Sequence, residues 1–266
     1  MKNILFAIII AGFLGGCATN AVTGRKQLSL VSESDLQLMA TTQYQTFLTT
    51  NKALPNSNSN AAMVDRVGAR IAAAITKYYD SQGKSSVLDG YKWEFNTVDS
   101  KEANAWCMPG GKVVVYTGLL PVTQTETALA IVMGHEIAHA VANHGNERMS
   151  QGMVQQLGGA ALDVALAQKP QQTKDLFMTS YGVTSQVAAM LPFSRQQETE
   201  ADKFGLIFAA MAGYDPQEAI PFWERMAAAG GSSTPEFLST HPSNQTRINK
   251  IKQFMPEAMK YYTRKE

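Results

Sequence analysis

The segment that most constrains this chain of 266 residues is an apolar run at 130–140 that contains His135-Glu136-Ile137-Ala138-His139. Apolar residues at helical spacing on both sides predict one continuous helix. Residues four apart on a helix lie within roughly 40° of each other, so both imidazoles can reach one metal ion. Glu136 projects beside them, where its carboxylate can take a proton from a water molecule without occupying the metal. The pattern predicts a zinc site, although about one chain in a hundred of this length would carry it by chance on a solvated helix face.

The motif supplies two ligands, and a catalytic zinc site needs a third. His144 lies nine residues after His135, about 180° around a continuous helix, so we expect it to face away and not to bind the metal. The longer metzincin pattern is excluded, because Ala142 stands where that pattern has a glycine and Gly145 where it has a third histidine. The third ligand must therefore come from another part of the chain.

A second predicted helix, which Ser194 can cap, carries Glu198 and Asp202 one turn apart on the same face. This spacing predicts Glu198 as the third zinc ligand and Asp202 as the acceptor that orients a ligand histidine. Glu200 points roughly 200° away from Glu198 and is predicted to be solvated. On these residues alone, a surface cluster of acids is an equally good interpretation.

Further along the chain, His241 precedes Pro242, which predicts a non-helical turn. From such a turn His241 could be directed toward the metal site. A histidine that caps a loop is an equally good interpretation.

Alternating residues predict a strand at 91–98, and two more at 104–108 and 112–117 are joined by Pro109-Gly110-Gly111. We expect a small antiparallel sheet beside the metal helix. Proline cannot donate to a strand ladder, so Asn104-Ala105-Trp106-Cys107-Met108 is predicted to be an edge strand with free backbone groups. Such an edge can bind an extended peptide by strand addition. The alternative is a plain hairpin whose edge is covered by a loop.

The first 16 residues resemble a bacterial lipoprotein signal: Lys2 precedes an apolar run of 11 residues, and small residues lead to Cys17. The run is too short to span a bilayer as a mature helix. Cleavage before Cys17 would leave a lipidated cysteine, and Ala18 after it favours the outer membrane, facing the periplasm. The alternative is a short buried helix that contains Cys17. With Cys17 acylated, Cys107 would be left without a partner for an intramolecular disulfide.

Composition fits a globular protein with a sizeable core, since 45% of the residues are hydrophobic and 17% are charged. A net charge of +1 without a basic block argues against a nucleic-acid partner. Helical patterns dominate, including predicted helices at 152–167 and 175–190 and one opened by a capping box from Thr123 to Glu126. We therefore predict a mainly helical α+β fold, with a signal peptide at 1–16, a linker and helix at 17–60, and a zinc metallopeptidase domain at 61–266.

Four ordered motifs together resemble the HtpX and CAAX-prenyl-endopeptidase family of gluzincin metallopeptidases, in its bacterial lipoprotein or periplasmic branch. The matching elements are Asn104-Ala105 with Pro109-Gly110-Gly111, His135-Glu136-Ile137-Ala138-His139, Ser194-Arg195 with Glu198-Thr199-Glu200-Ala201-Asp202, and Thr240-His241-Pro242. They extend from about 61 to 251.

The resemblance implies a zincin-like domain in which His135, His139 and Glu198 bind one zinc ion and Glu136 is the general base. Asp202 would then support a ligand histidine, and the strand Asn104 to Met108 would align the substrate. His241 resembles a catalytic histidine that either stabilises the oxyanion or occupies the open metal position. Cys107 stands in the edge motif where an apolar residue is expected, and whether it alters specificity or binds the metal is open.

The function implied is a membrane-tethered zinc metalloendopeptidase of the bacterial cell envelope, acting on misfolded or unassembled envelope proteins. The alternative is an assembly or chaperone-like factor whose zinc site is latent because His241 blocks it. A purely structural zinc domain is disfavoured, because such sites close with four protein ligands, often cysteines.

Overall fold

The structure is a computed structural model that describes residues 17–156, 158, 160–183, 194–228, 237–238, 241 and 245–263. The predicted signal peptide at 1–16 and most of the second half of the helix predicted at 175–190 lie outside these residues. The elements are β1 (Cys17–Thr19), β2 (Lys26–Leu28), α1 (Glu33–Thr50), α2 (Ser59–Ser81), β3 (Glu94–Val98), β4 (Ala105–Met108), β5 (Lys112–Tyr116), α3 (Leu120–Thr123), α4 (Glu126–Val141), α5 (His144–Gln156), α6 (Leu162–Gln168), α7 (Pro170–Ser180), α8 (Arg195–Met211), α9 (Ala219–Ala228) and α10 (Gln245–Ala258).

The predicted mainly helical α+β class is confirmed, with a three-stranded sheet in the order β3-β5-β4 beside the helices. This sheet is mixed rather than wholly antiparallel, because β5 runs parallel to β3 and antiparallel to β4. The chain leaves β3 and returns as β4 two strand positions away, and the following hairpin places β5 between them. Strand β4 is consequently an edge strand of the described sheet, as the sequence predicted.

Helix α4 is the centre of the fold, since every residue from Ala128 to Val141 is buried. Its N-cap is Thr125, whose hydroxyl accepts a hydrogen bond from Ala128 N–H, two residues later than the predicted cap at Thr123. Thr123 instead ends the short helix α3. A helix buried on all sides must be held by its neighbours, and the sheet, α2 and α8 cover it.

Helices α4 and α8 approach each other through two glycines. A Cβ atom on Gly205 would lie 2.8 Å from the backbone of His135, and one on Gly134 would lie 2.7 Å from the Gly205 carbonyl oxygen. Any larger residue would push the helices apart. The contact therefore fixes the distance between the helix that carries the histidines and the helix that carries Glu198.

The N-terminal helix α1 packs on the sheet face opposite α4. Ser32 caps it by accepting a hydrogen bond from Asp35 N–H. Tyr44 and Phe47 meet Trp106 edge to face, with ring centroids 6.3 Å and 5.0 Å apart. The helix predicted within 17–60 thus packs on the main body of the protein, whereas the predicted domain boundary at residue 61 stays a prediction.

The helix predicted at 152–167 is divided in two. Helix α5 ends at Gln156 and α6 begins at Leu162. Pro170 opens α7, because proline is accommodated at the first position of a helix. Within the part of the chain that the structure describes, no helix is both long and apolar enough to cross a membrane.

Candidate metal centre

Four buried side chains from three parts of the chain converge on one point. His135 and His139 come from α4, Glu198 comes from the first turn of α8, and His241 comes from the segment before α10. One ligand atom of each lies within 4.8 Å of those of the other three. The helix spacing and the Glu198 position thus bring together the three ligands expected from the sequence, and His241 joins them.

The distances in this group fit a zinc ion. The Nε2 atom of His135 lies 3.1 Å from His139 Nε2 and 3.1 Å from His241 Nδ1. Glu198 Oε1 lies 3.2 Å from His139 Nε2 and 2.9 Å from His241 Nδ1. A tetrahedral zinc ion with bonds of about 2.0–2.1 Å holds its ligand atoms about 3.3 Å apart. Nitrogen and carboxylate donors at these separations match what zinc requires.

Charge and burial prepare the group for a cation. Burial lowers the pKa of His139 well below its ordinary value, so its imidazole is neutral and can bind a metal. Burial alone would raise the pKa of Glu198, but His241 and Arg247 beside it hold that pKa well below the usual range. Glu198 is therefore an anion that faces three histidine rings, those of His135, His139 and His241.

Glu136 lies next to the group without belonging to it. Its Oε1 atom is 3.4 Å from His241 Nε2 and accepts no hydrogen bond from the described residues. Burial raises the pKa of Glu136 to about 7. A carboxylate with such a pKa is suited to accept and return a proton near neutral pH.

Asp202, one turn after Glu198, contacts His135. Its Oδ1 atom lies 3.0 Å from His135 Nδ1, the nitrogen turned away from the ligand group. Arg247 donates to both oxygens of Asp202 at 2.8 Å and lies over the ring of Trp223 at 3.5 Å. These contacts fix the ring of His135 with Nε2 toward the metal position.

Arg247 was not among the site residues predicted from the sequence. A signal existed, because Arg247 and Ile251 share one face of α10, and a charge on an apolar helix face needs a buried partner. Its partner could not be named from spacing, since Asp202 lies on another helix.

Two predictions about neighbouring residues are wrong. His144 does not face away: helix α4 ends at Val141, Asn143 adopts a positive φ of 52°, and the chain turns so that His144 Nδ1 lies 2.9 Å from His139 Nδ1. Glu200 is not simply solvated, because it lies 2.9 Å from His144 Nε2 and accepts a hydrogen bond from Arg25 Nε at 2.8 Å. His144 is nevertheless outside the group of four ligand atoms.

The predicted substrate strand lies at the sheet edge as β4, directly after Asn104. Ala105 and Cys107 face the core on the α4 side, and Trp106 and Met108 face α1. Tyr116 N–H donates to the Asn104 carbonyl, so the alternation of an antiparallel ladder turns the backbone groups of Cys107 to the outer edge. The Cys107 thiol is buried and is not part of the ligand group.

The family follows from a comparison with known proteins: the profile of peptidase family M48 matches residues 58–255. The chain belongs to peptidase family M48. The predicted class, a metallopeptidase, is confirmed at the level of the family. The zinc prediction is confirmed as well, because M48 peptidases use zinc and the four converging side chains are compatible with a metal site.

Relatives in several organisms are similar over much of this M48 chain. It is 34% identical over 245 residues to mitochondrial metalloendopeptidase OMA1 of Schizosaccharomyces pombe, covering 89% of this chain and 66% of the relative. It is 39% identical over 180 residues to mitochondrial metalloendopeptidase OMA1 of Arabidopsis thaliana, covering 67% and 35%. It is 30% identical over 199 residues to the beta-barrel assembly-enhancing protease of Escherichia coli, covering 68% and 40%. The chain therefore spans less than two thirds of the length of each of these relatives.

The predicted location is contradicted by these relatives. A lipid-anchored protein of the bacterial outer membrane was expected from the segment before Cys17, whereas the fungal and plant relatives are named as mitochondrial proteins. A positive residue followed by a short apolar run and small residues is a compositional pattern, and composition alone did not give the compartment. Cys17 itself is exposed at the start of β1.

Proposed function

We propose that this M48 chain is a zinc metalloendopeptidase that hydrolyses peptide bonds within polypeptides. The convergence of His135, His139 and Glu198, with Glu136 beside them, carries the proposal. Three protein ligands with one position open to a reactant are the arrangement of a catalytic zinc site.

Each side chain has a separate role in the proposed hydrolysis. Zinc, when held by His135, His139 and Glu198, supplies a Lewis acid that favours deprotonation of water and polarises a carbonyl group. Glu136 takes the proton from the attacking water and returns it to the leaving amine. Asp202, held by Arg247, keeps the His135 ring in the orientation that binding requires.

Strand β4 is the proposed position for the substrate. The outward backbone groups of Cys107 can pair with an extended peptide, which brings affinity without requiring one particular side chain. A site that reads backbone suits polypeptides with unfolded segments, so we propose misfolded or unassembled proteins as substrates and proteolytic quality control as the role.

Cleavage of casein with and without a chelator tests the proposal. We expect hydrolysis by the zinc-loaded protein, loss of hydrolysis with the chelator, and recovery on return of zinc. Glu136→Gln should bind zinc as the wild type does and cleave at least about 10³-fold more slowly, since general base catalysis and alignment of the nucleophile are lost together. An undiminished cleavage rate in Glu136→Gln would refute the mechanism.

A latent zinc site is the second candidate, and one observation favours it. His241 Nδ1 lies as close to His135 Nε2 as His139 Nε2 does, at 3.1 Å, so His241 can fill the fourth position. The protein would then act as an assembly or chaperone-like factor that binds zinc without turnover. His241→Ala separates the two candidates: faster casein cleavage indicates a blocking role for His241, and slower cleavage indicates stabilisation of the oxyanion.

Two finer expectations stay predictions of the sequence. Within family M48, the four motifs resemble the HtpX and CAAX-prenyl-endopeptidase branch. The second of these expectations is a lipid on Cys17, and mass spectrometry of the N-terminal peptide tests it.

A further inference from the structure

The second zinc histidine, His139, has a support that differs from that of His135. Its outer nitrogen, Nδ1, lies 2.9 Å from Nδ1 of His144, and the other ring nitrogen of His144 lies 2.9 Å from Glu200 Oε2. His144 is fully buried at 0% exposure. The three side chains form a row from the metal position to the surface of α8.

The hydrogen atoms in this row can be assigned from chemistry. A histidine that binds a metal through Nε2 keeps its proton on Nδ1, so His139 must donate from Nδ1. His144 Nδ1 must then accept, which places the His144 proton on Nε2. That proton points at Glu200, an acceptor. Each contact is satisfied in one direction only, and that direction keeps the His139 proton on Nδ1, so that Nε2 can bind zinc.

A hairpin near the N-terminus contacts Glu200, the outermost side chain of this row. This hairpin consists of β1 and β2, and it carries Arg25, whose Nε donates to Glu200 at 2.8 Å. The Nη atoms of Arg25 donate to both oxygens of Glu147 at 2.7 Å. Gln197 of α8 donates to the same Glu147 carboxylate at 2.7 Å. Arg25 therefore ties together a residue of α5 and a residue of α8.

The hairpin also contacts the end of the helix that bears the histidines. Asn20 Nδ2 donates to the Ala142 carbonyl oxygen at 2.8 Å, and Gln27 Nε2 lies 3.4 Å from it. The last carbonyls of a helix lack partners within that helix. The hairpin supplies one at the point where the chain turns to place His144.

We propose that His144 and Glu200 are positioning residues that hold His139 in the tautomer and orientation needed for zinc, and that Arg25 of the N-terminal hairpin fixes this pair. The proposal rests on the proposed role of His139 as a zinc ligand. Each zinc histidine then has one carboxylate and one arginine. Asp202 and Arg247 serve His135. Glu200, acting through His144, and Arg25 serve His139.

Zinc affinity of the full chain, measured by competition with a chelating dye, tests the proposal. His144→Phe keeps the ring volume but removes the acceptor, and it should weaken zinc binding about 10- to 100-fold. His144→Asn restores an acceptor near the Nδ1 position and should recover part of that affinity. The matched control is Gln196→Ala, which removes an exposed hydrogen bond to Glu200 and should leave affinity unchanged. Equal zinc affinity of His144→Phe and the wild type would overturn the proposal.

A second measurement remains decisive if His144→Phe fails to fold. In ¹⁵N NMR spectra of the zinc-loaded wild type, the His139 proton should be on Nδ1 and the His144 proton on Nε2. A His144 proton on Nδ1 would overturn the proposal. Wild-type protein that binds no zinc would contradict this proposal and the proposed function together, whereas zinc binding without casein cleavage would contradict the proposed function alone.

Discussion

The two zinc-site histidines, His135 and His139, each have a carboxylate and an arginine behind them, but the contacts that connect these groups differ. On the His135 side, Asp202 contacts the imidazole directly and Arg247 covers it, with side-chain exposures of 3% and 6%. On the His139 side the carboxylate acts through His144, and the row ends at Glu200 and Arg25, which are 15% and 18% exposed. The first support lies within two helices of the core, and the second depends on a hairpin outside the M48 match at 58–255. A metal ligand can thus be held by the core or by a peripheral segment of the same chain.

Substitutions on the buried His135 side should lower the free energy of unfolding more than substitutions on the His139 side. Arg247→Met leaves Asp202 and Glu198 buried without their cation, so the free energy of unfolding of the zinc-free protein should fall by about 3–5 kcal/mol. Urea denaturation monitored by tryptophan fluorescence measures this. Arg225→Met is the control, since Arg225 pairs with the partly exposed Glu218 and should contribute less than about 1 kcal/mol. Similar losses for Arg247→Met and Arg225→Met would refute the assigned importance of Arg247.

Asp202→Asn tests the His135 side through the metal. An amide can accept from His135 Nδ1–H but no longer carries the charge that raises the basicity of the imidazole. Zinc affinity should fall about 10- to 100-fold, equivalent to about 1.4–2.7 kcal/mol. Isothermal titration with zinc gives the value. If affinity is unchanged, Asp202 does not orient His135 for the metal.

The partly exposed His139 side should show a smaller loss of stability. Arg25→Met removes charged hydrogen bonds at a site that water can reach, and the free energy of unfolding should fall by about 1–3 kcal/mol. The same urea titration applies, with Arg25→Lys as a variant that keeps the charge but cannot bridge Glu147 and Glu200 with a planar group. If Arg25→Met lowers the free energy of unfolding as much as Arg247→Met does, the proposed difference in stability between the two sides is contradicted.

Sequence periodicity predicted the residues that lie on one helix, and it failed where the chain changes direction. Glu198 and Asp202 lie one turn apart on α8, and Ser194 caps this helix with Gln197 in a capping box, so their common face followed from spacing. His144 was misplaced because a continuous helix was assumed. Asn143 was the available signal, since asparagine tolerates a positive φ at a helix end.

Contacts between distant segments were beyond a reading of periodicity. Nothing in the sequence pairs Arg25 with Glu147 and Glu200, which are 122 and 175 residues away. The mixed sheet was missed for a similar reason: alternation identified β3, β4 and β5, but it does not tell which strand lies between the other two. The compartment was wrongly predicted because the apolar start of the chain was given more weight than a compositional pattern can bear.

The most direct test of the central claim is the position of zinc in crystals of the zinc-loaded protein, located by anomalous scattering at the zinc edge. We expect one peak about 2.0–2.2 Å from His135 Nε2, His139 Nε2 and a carboxylate oxygen of Glu198. A peak bound by other residues, or no peak between α4 and α8 at saturating zinc, would contradict it.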